Sequence, residues 1–200
     1  MLKLEDLNSE FMKFGAVNME IKKGSIVGIL GESGLGKSVL LKTIADLIPH
    51  TGKVFLGDEE QNSIKASEWR KKVSLLPANF IFWENTTKDH FRDINEDLFI
   101  KLGLDPEYIL DKKTEDLSSG EKQRIGLIKV ISNNPKVLLL DEPCANLDNK
   151  NKERVEKLIL EYASKQKAIV IWVGHDDEQL KRICDMLIIS KKDRFRKVSL

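Results

Sequence analysis

Gly31-Glu32-Ser33-Gly34-Leu35-Gly36-Lys37-Ser38 joins an apolar run at 26–30 to a helix-type pattern that begins at Lys37. The stretch fits G-x-x-x-x-G-K-[ST], and the order strand, glycine turn, helix builds an anion site. Glycines let backbone N–H groups converge on phosphate oxygens with no Cβ in the way, and the helix N-terminus adds partial positive charge. Lys37 would bring a full charge to the β- and γ-phosphates, and Ser38 a hydroxyl to a magnesium ion. A plain glycine turn is the competing account; the strand before it and the helix after it argue against that. The reading predicts an α/β architecture built around this loop.

Outward from the loop, short β-rich runs at 26–30, 53–56, 73–76, 137–140, 168–173 and 186–189 alternate with helical patterns. Several are continuously apolar, as expected of strands covered by helices on both faces of a mostly parallel sheet. Val39, Leu40, Ile44, Leu47 and Ile48 share one side of a helix predicted to stop near Pro49. Val155, Leu158, Ile159, Tyr162 and Ala163 repeat at helical spacing and read as core packing. Between residues 91 and 115 no buried strand is evident; 95–102 and 106–112 look like short helices. The expectation is one α/β domain over 1–200, with a short N-terminal β region and a small helical subdomain at roughly 79–134.

Val137-Leu138-Leu139-Leu140-Asp141-Glu142-Pro143 is an apolar strand that ends in two acids. The C-terminal edge of an α/β sheet is where ligands bind, so carboxylates there have a use. Asp141 would belong to the Mg2+ shell, and Glu142 would polarise an attacking water as general base. The alternative is a solvated strand terminus. Further back, Leu117-Ser118-Ser119-Gly120-Glu121-Lys122-Gln123-Arg124 opens a helix expected to end near Asn133-Asn134-Pro135. Ser118-x-x-Glu121 is a capping-box pattern. A serine hydroxyl and a glycine backbone at a helix N-terminus also make a second anion site. Capping accounts for Ser118 and Glu121 but not for Lys122-Gln123-Arg124.

A phosphate loop alone marks a nucleotide hydrolase or kinase in general. With the second motif between the loop and the acidic strand, the chain resembles the ATP-binding cassettes, the ATPase subunits of ABC systems, over nearly its whole length. The resemblance implies the P-loop NTPase fold, with 31–38 as Walker A, 117–121 as the signature and 137–143 as Walker B. Ala145-Asn146-Leu147-Asp148 resembles the D-loop, so Asp148 is expected to communicate across a dimer. His175 resembles the switch histidine that contacts the γ-phosphate and positions water. Phe11 is the candidate for stacking on adenine, with Phe14 close by.

Four positions depart from the family's pattern. Ser119 replaces the first glycine of the signature, and Glu121 its glutamine. Val39 stands for the threonine after Ser38. In Val73-Ser74-Leu75-Leu76-Pro77-Ala78-Asn79, Ala78 stands for the Q-loop glutamine, with Asn79 one place on.

The resemblance implies an ATP-hydrolysing transporter subunit that binds ATP and Mg2+, pairs head to tail with a second copy and drives a separate integral membrane permease. Residues 79–86, taken as a strand continuing after Pro77, and the end at Leu200 look like compact stand-alone exporter-type cassettes, whose relatives include iron exporters. Ala78 and the altered signature leave an alternative, a nucleotide-dependent dimerising switch with little hydrolysis. Phe80, Phe82 and Trp83 are expected either to form the groove for the permease or to close a seam between subdomains.

Composition bounds these readings. Of 200 residues, 33 are Lys or Arg and 32 Asp or Glu, for a net charge of +1, which gives no case for nucleic-acid binding. The apolar runs at 137–140 and 168–173 are far short of the roughly 20 residues of a membrane span. MLKLEDLNSE is too polar for a secretory signal. The expectation is a protein at the cytoplasmic face of the membrane, held there by its partner. Cys144 and Cys184 lack metal-ligand spacing and read as reduced, packed thiols. Lys191, Lys192, Arg194, Arg196 and Lys197 read as a solvated basic tail, with anionic lipid the other option.

Overall fold

The structure, a computed structural model, describes residues 1–191 and 194–198, with side chains to residue 190. The chain opens with β1 (Leu2–Asn8), β2 (Val17–Ile21), β3 (Ile26–Gly31), α1 (Lys37–Ile44), β4 (Thr51–Leu56) and β5 (Glu59–Glu60). α2 (Ala66–Lys72), β6 (Val73–Leu76), α3 (Glu96–Lys101), α4 (Pro106–Ile109) and α5 (Ser119–Ile131) follow. It closes with β7 (Val137–Asp141), α6 (Asn149–Gln166), β8 (Ile169–Val173), α7 (Asp177–Ile183), β9 (Met186–Lys191) and β10 (Arg194–Val198). The basic side chains from Lys191 onward, read above as a tail, lie outside the described ones.

Two sheets result. The larger runs β10-β9-β3-β8-β7-β6, parallel from β9 to β6, with β10 antiparallel at its edge. Every residue of β7 and β8 is buried, and successive side chains leave on opposite faces. Leu138, Leu140, Val170 and Trp172 pack into a core with α5, α6 and α7. Val137, Leu139, Ile169 and Ile171 pack into another with Leu40, Leu41 and Ile44 of α1 and Trp69 of α2. That two-sided covering is why these runs read as continuous rather than alternating.

The smaller sheet, β2-β1-β4-β5, is antiparallel and roofs the α1 core through Leu2, Leu4, Leu7, Val17, Ile21 and Val54. The run at 53–56 therefore belongs to this sheet, because β4 pairs with β1 rather than with the parallel strands.

Two expectations need correction. The first helix ends at Ile44 and does not reach Pro49. Asp46 adopts φ 57, its N–H bonding Thr43 O at 3.1 Å while Leu47 N–H bonds Lys42 O at 2.9 Å. This left-handed cap closes the last turn early and leaves Leu47 exposed.

Residues 79–86 form no strand. Past Pro77 their backbone turns inward: the N–H groups of Trp83 and Glu84 both donate to His90 Nε2 at 3.1 Å. Lys88 N bonds Leu110 O, Thr87 N bonds Lys112 O and Thr114 N bonds Asn85 O, tying the segment to 110–114. Phe80 and Phe82 pack against the α5-side core, whereas Ile81 and Trp83 are exposed. The aromatics thus divide, two closing the seam and one facing outward. Among the described residues, no helix is long and apolar enough to cross a membrane.

Candidate functional site

Sheet order assembles the site. β8 lies between β3 and β7, so the loops leaving all three strands emerge side by side at one edge. The loop after β3 carries 31–36, the loop after β7 carries Glu142, and the loop after β8 carries His175.

In the glycine loop, Gly36 sits at φ 101, open only to glycine without strain. A Cβ there would come within 2.9 Å of Met12 Cα and Phe11 O. Lys13 N–H also donates to Leu35 O at 3.0 Å, so residues 11–13 lie directly on the loop. Phe11 is 59% exposed beside it, while Phe14 is 4% exposed and belongs to the α1-side core. Lys37 Nζ donates to Gly31 O and Glu32 O, each at 2.7 Å. Burial lowers the pKa of this ammonium, with the Glu142 and Asp141 carboxylates opposing. Leu35 is buried, Ser38 and Val39 half-buried, and Glu32, Ser33 and Gly34 face solvent.

Asp141 ends β7, in register with Val173 at the end of β8. It is buried, and its Oδ1 has no hydrogen-bond partner. Burial pushes its pKa up, against a hydrogen bond with Ser38 and with the help of the Glu142 charge. A lone buried carboxylate oxygen beside a serine hydroxyl is a hard-oxygen donor set that fits Mg2+. Glu142 takes φ 51, its N–H bonds Val173 O at 2.9 Å, and its Oε1 lies 2.8 Å from His175 Nε2. The contact brings an imidazole and a carboxylate together at the ends of β7 and β8.

The signature caps α5 as the capping-box pattern predicts. Ser118 Oγ accepts from Glu121 N at 3.2 Å, and Glu121 Oε2 accepts from Ser118 N at 2.7 Å. Ser118 and Ser119 are exposed and Gly120 half-buried. Among the described residues, no hydrogen bond or salt bridge joins 118–121 to 31–38. Asp148 caps α6, accepting from Asn151 N at 2.8 Å and Asn151 Nδ2 at 3.0 Å.

Three functional contacts escaped the sequence reading. Gln123 is buried and its Nε2 donates to Glu142 O at 3.4 Å, linking the signature helix to the acidic strand end. Arg124 donates to Gly120 O at 3.1 Å, Leu102 O at 2.8 Å and Asn151 Oδ1 at 3.1 Å, linking signature, helical subdomain and the Asp148 cap. The only signal for these was that capping left Lys122-Gln123-Arg124 unexplained. Lys112, whose Nζ bonds both Glu121 carboxylate oxygens at 3.1 and 3.0 Å, gave no signal at all.

Known proteins resemble this chain in sequence and in backbone. A family model described as ABC transporter matches residues 14–145. The chain is 36% identical over 177 residues to the probable iron export ATP-binding protein FetA of Escherichia coli (strain K12), covering 82% of this chain and 78% of that one. It is 30% identical over 220 residues to the energy-coupling factor transporter ATP-binding protein EcfA2 of Clostridium tetani (strain Massachusetts / E88), covering 96% and 76%. Among solved structures, the dimeric post-hydrolysis state of the ATP-binding cassette MJ0796 bound to ADP and Pi superposes with TM-score 0.83 at 25% identity, over 100% of this chain and 99% of that one. Sequence likeness and backbone likeness agree, and the chain belongs to the ABC transporter family as one of its ATP-binding, ATP-hydrolysing subunits.

Proposed function

We propose that two copies of this chain close head to tail around two MgATP, and that closing and reopening drive a separate integral membrane permease at the cytoplasmic face. The observation that carries the reading is that the Ser118–Ser119 tip is exposed and, among the described residues, makes no hydrogen bond to its own glycine loop. A helix N-terminus exposed in this way is built to meet an anion presented by another molecule.

The 31–38 loop takes the phosphates, and Lys37 exchanges its two carbonyl partners for phosphate oxygens. Phe11 stacks on adenine. Ser38 and Asp141 would hold a magnesium ion, which would supply charge neutralisation to the phosphates; Ala78 brings no side-chain oxygen there. Glu142 accepts the proton of the attacking water, oriented by His175. The water oxygen bonds to the γ-phosphorus as the bond to the β-phosphate oxygen breaks, and ADP and phosphate leave. Asp148, at the tip of α6, faces the neighbouring copy. The whole of 1–200 acts as one domain, with 79–134 as its helical insert and exposed Ile81 and Trp83 toward the permease. Identity with a probable iron export protein supports metal export as the transported class.

The test is the mass of the Glu142→Gln protein in saturating MgATP. The reading expects a shift from the 22.8 kDa monomer to a dimer. A protein that stays monomeric with cleavage blocked would overturn it.

A further inference from the structure

We propose that Lys112 is a positioning residue of the signature: its ammonium cancels the carboxylate that Glu121 puts at the tip of α5, so that a neighbour's γ-phosphate meets a neutral pair. The inference rests on the head-to-tail reading above.

Both members of the pair are held. The Glu121 carboxylate is 18% exposed and locked from two sides, by Ser118 N–H at 2.7 Å and by Lys112 Nζ bonding both its oxygens. Those bonds, together with the Lys112 charge, keep its pKa below the usual carboxylate range despite the burial that opposes them. Lys112 is 17% exposed at the side chain, and its ammonium lies 5.2 Å from the centroid of the Tyr108 ring. Its backbone is pinned as well: Lys112 O accepts from Thr87 N at 3.2 Å, and Thr86 bridges Lys113.

Two different anions compete for one helix end. A carboxylate at a helix N-terminus suits the helix, because it faces the positive end of the macrodipole. The same charge opposes a phosphate docking on that N-terminus. A family pattern with glutamine in this place avoids the conflict by neutrality; here neutrality comes from a cation nine residues earlier in the chain. Ser118 and Ser119 remain free to donate, and Glu121 keeps its capping role without repelling the nucleotide.

The experiment measures MgATP-driven dimerisation by sedimentation in the Glu142→Gln background, at a series of salt concentrations, for the parent, Lys112→Met, Glu121→Gln and the double variant. Uptake of a fluorescent ATP analogue by dilute monomer is followed in parallel. Lys112→Met is expected to weaken dimerisation at least about tenfold, more at low salt, because a bare like charge now faces the phosphate. Adding Glu121→Gln is expected to restore most of the loss, to the level of Glu121→Gln alone. Unchanged dimerisation of Lys112→Met overturns the proposal. So does a double variant no better than Lys112→Met, which would make Lys112 a packing residue only. A parent that takes up the analogue yet never dimerises overturns the head-to-tail reading, and this inference with it.

Discussion

His175 Nε2 lies 2.8 Å from Glu142 Oε1, and the two residues come from neighbouring strands whose ends are themselves tied by Glu142 N–H to Val173 O at 2.9 Å. Glu142 holds φ 51, a left-handed conformation that costs a non-glycine residue about 1–2 kcal/mol. The flanking hydrogen bonds impose it, and it points the carboxylate at His175. On this geometry Glu142→Gln should lower kcat about 10²–10⁴-fold while ATP uptake persists. His175→Ala should cost less, because His175 contacts the Glu142 carboxylate but is not the proposed base itself. Phosphate release in a single turnover checks both; equal rates for Glu142→Gln and the parent would refute the base assignment.

Asp141 is the buried charge whose removal should help the empty protein and harm the loaded one. Its carboxyl pKa is raised by burial, so the folded state binds a proton more readily than the unfolded chain does. The ionised group therefore costs folding stability at neutral pH, and the cost fades as pH falls into the raised range. Asp141→Asn should raise the melting temperature of the nucleotide-free protein, by roughly 2–4 °C for each kcal/mol recovered. It should also lose most of the further rise that MgATP gives the parent by binding the native state. Melting curves with and without MgATP decide the matter, and a destabilised empty variant would count against it.

How much of this was legible beforehand follows from the range of each interaction. The glycine loop, acidic strand end and capped signature are local, with sequence spacing that dictates their backbone, and all three stand where the residues put them. The apolar period runs on through Leu47 and Ile48, past the observed helix end at Ile44. A left-handed Asp46 gives no periodic warning. Residues 79–86 looked like a strand because Phe80-Ile81-Phe82-Trp83 are β-formers. Their N–H groups go instead to His90, a tertiary partner invisible to pattern reading. Lys112 and Glu121 met for the same reason: their pairing is fixed by the 84–88 segment folding against 110–114.

Phe11 and Phe14, three residues apart and equivalent by sequence, should now separate by experiment. Phe11 is exposed beside Gly36, and Phe14 is buried in the core beneath the antiparallel sheet. Base–aromatic stacking is worth about 1–3 kcal/mol by alanine substitution, so Phe11→Ala should weaken nucleotide affinity roughly 5- to 150-fold with little change in melting temperature. Phe14→Ala should instead cost about 3–5 kcal/mol of folding stability. Titration of a fluorescent ATP analogue beside a urea melt gives both numbers, and tight binding by Phe11→Ala would remove it from the site.

Gly36 is the point where the antiparallel sheet's turn rests on the phosphate loop, so a single methyl there should be felt twice. At φ 101 an alanine carries left-handed strain, and its Cβ would meet Met12 Cα and Phe11 O at 2.9 Å, both backbone atoms that cannot swing aside. Gly36→Ala should cost about 1–3 kcal/mol of stability from the strain. It should abolish ATP uptake as well, since the same shift would move the loop's N–H groups and residues 11–13 together. Gly34, at φ 75 with open space around its Cβ position, provides the comparison: Gly34→Ala brings strain without collision. Circular dichroism melts and analogue titration of the two variants should therefore rank Gly36→Ala as the more damaging in both readouts. The reverse ranking would mean that the turn over 11–13 does not bear on the loop.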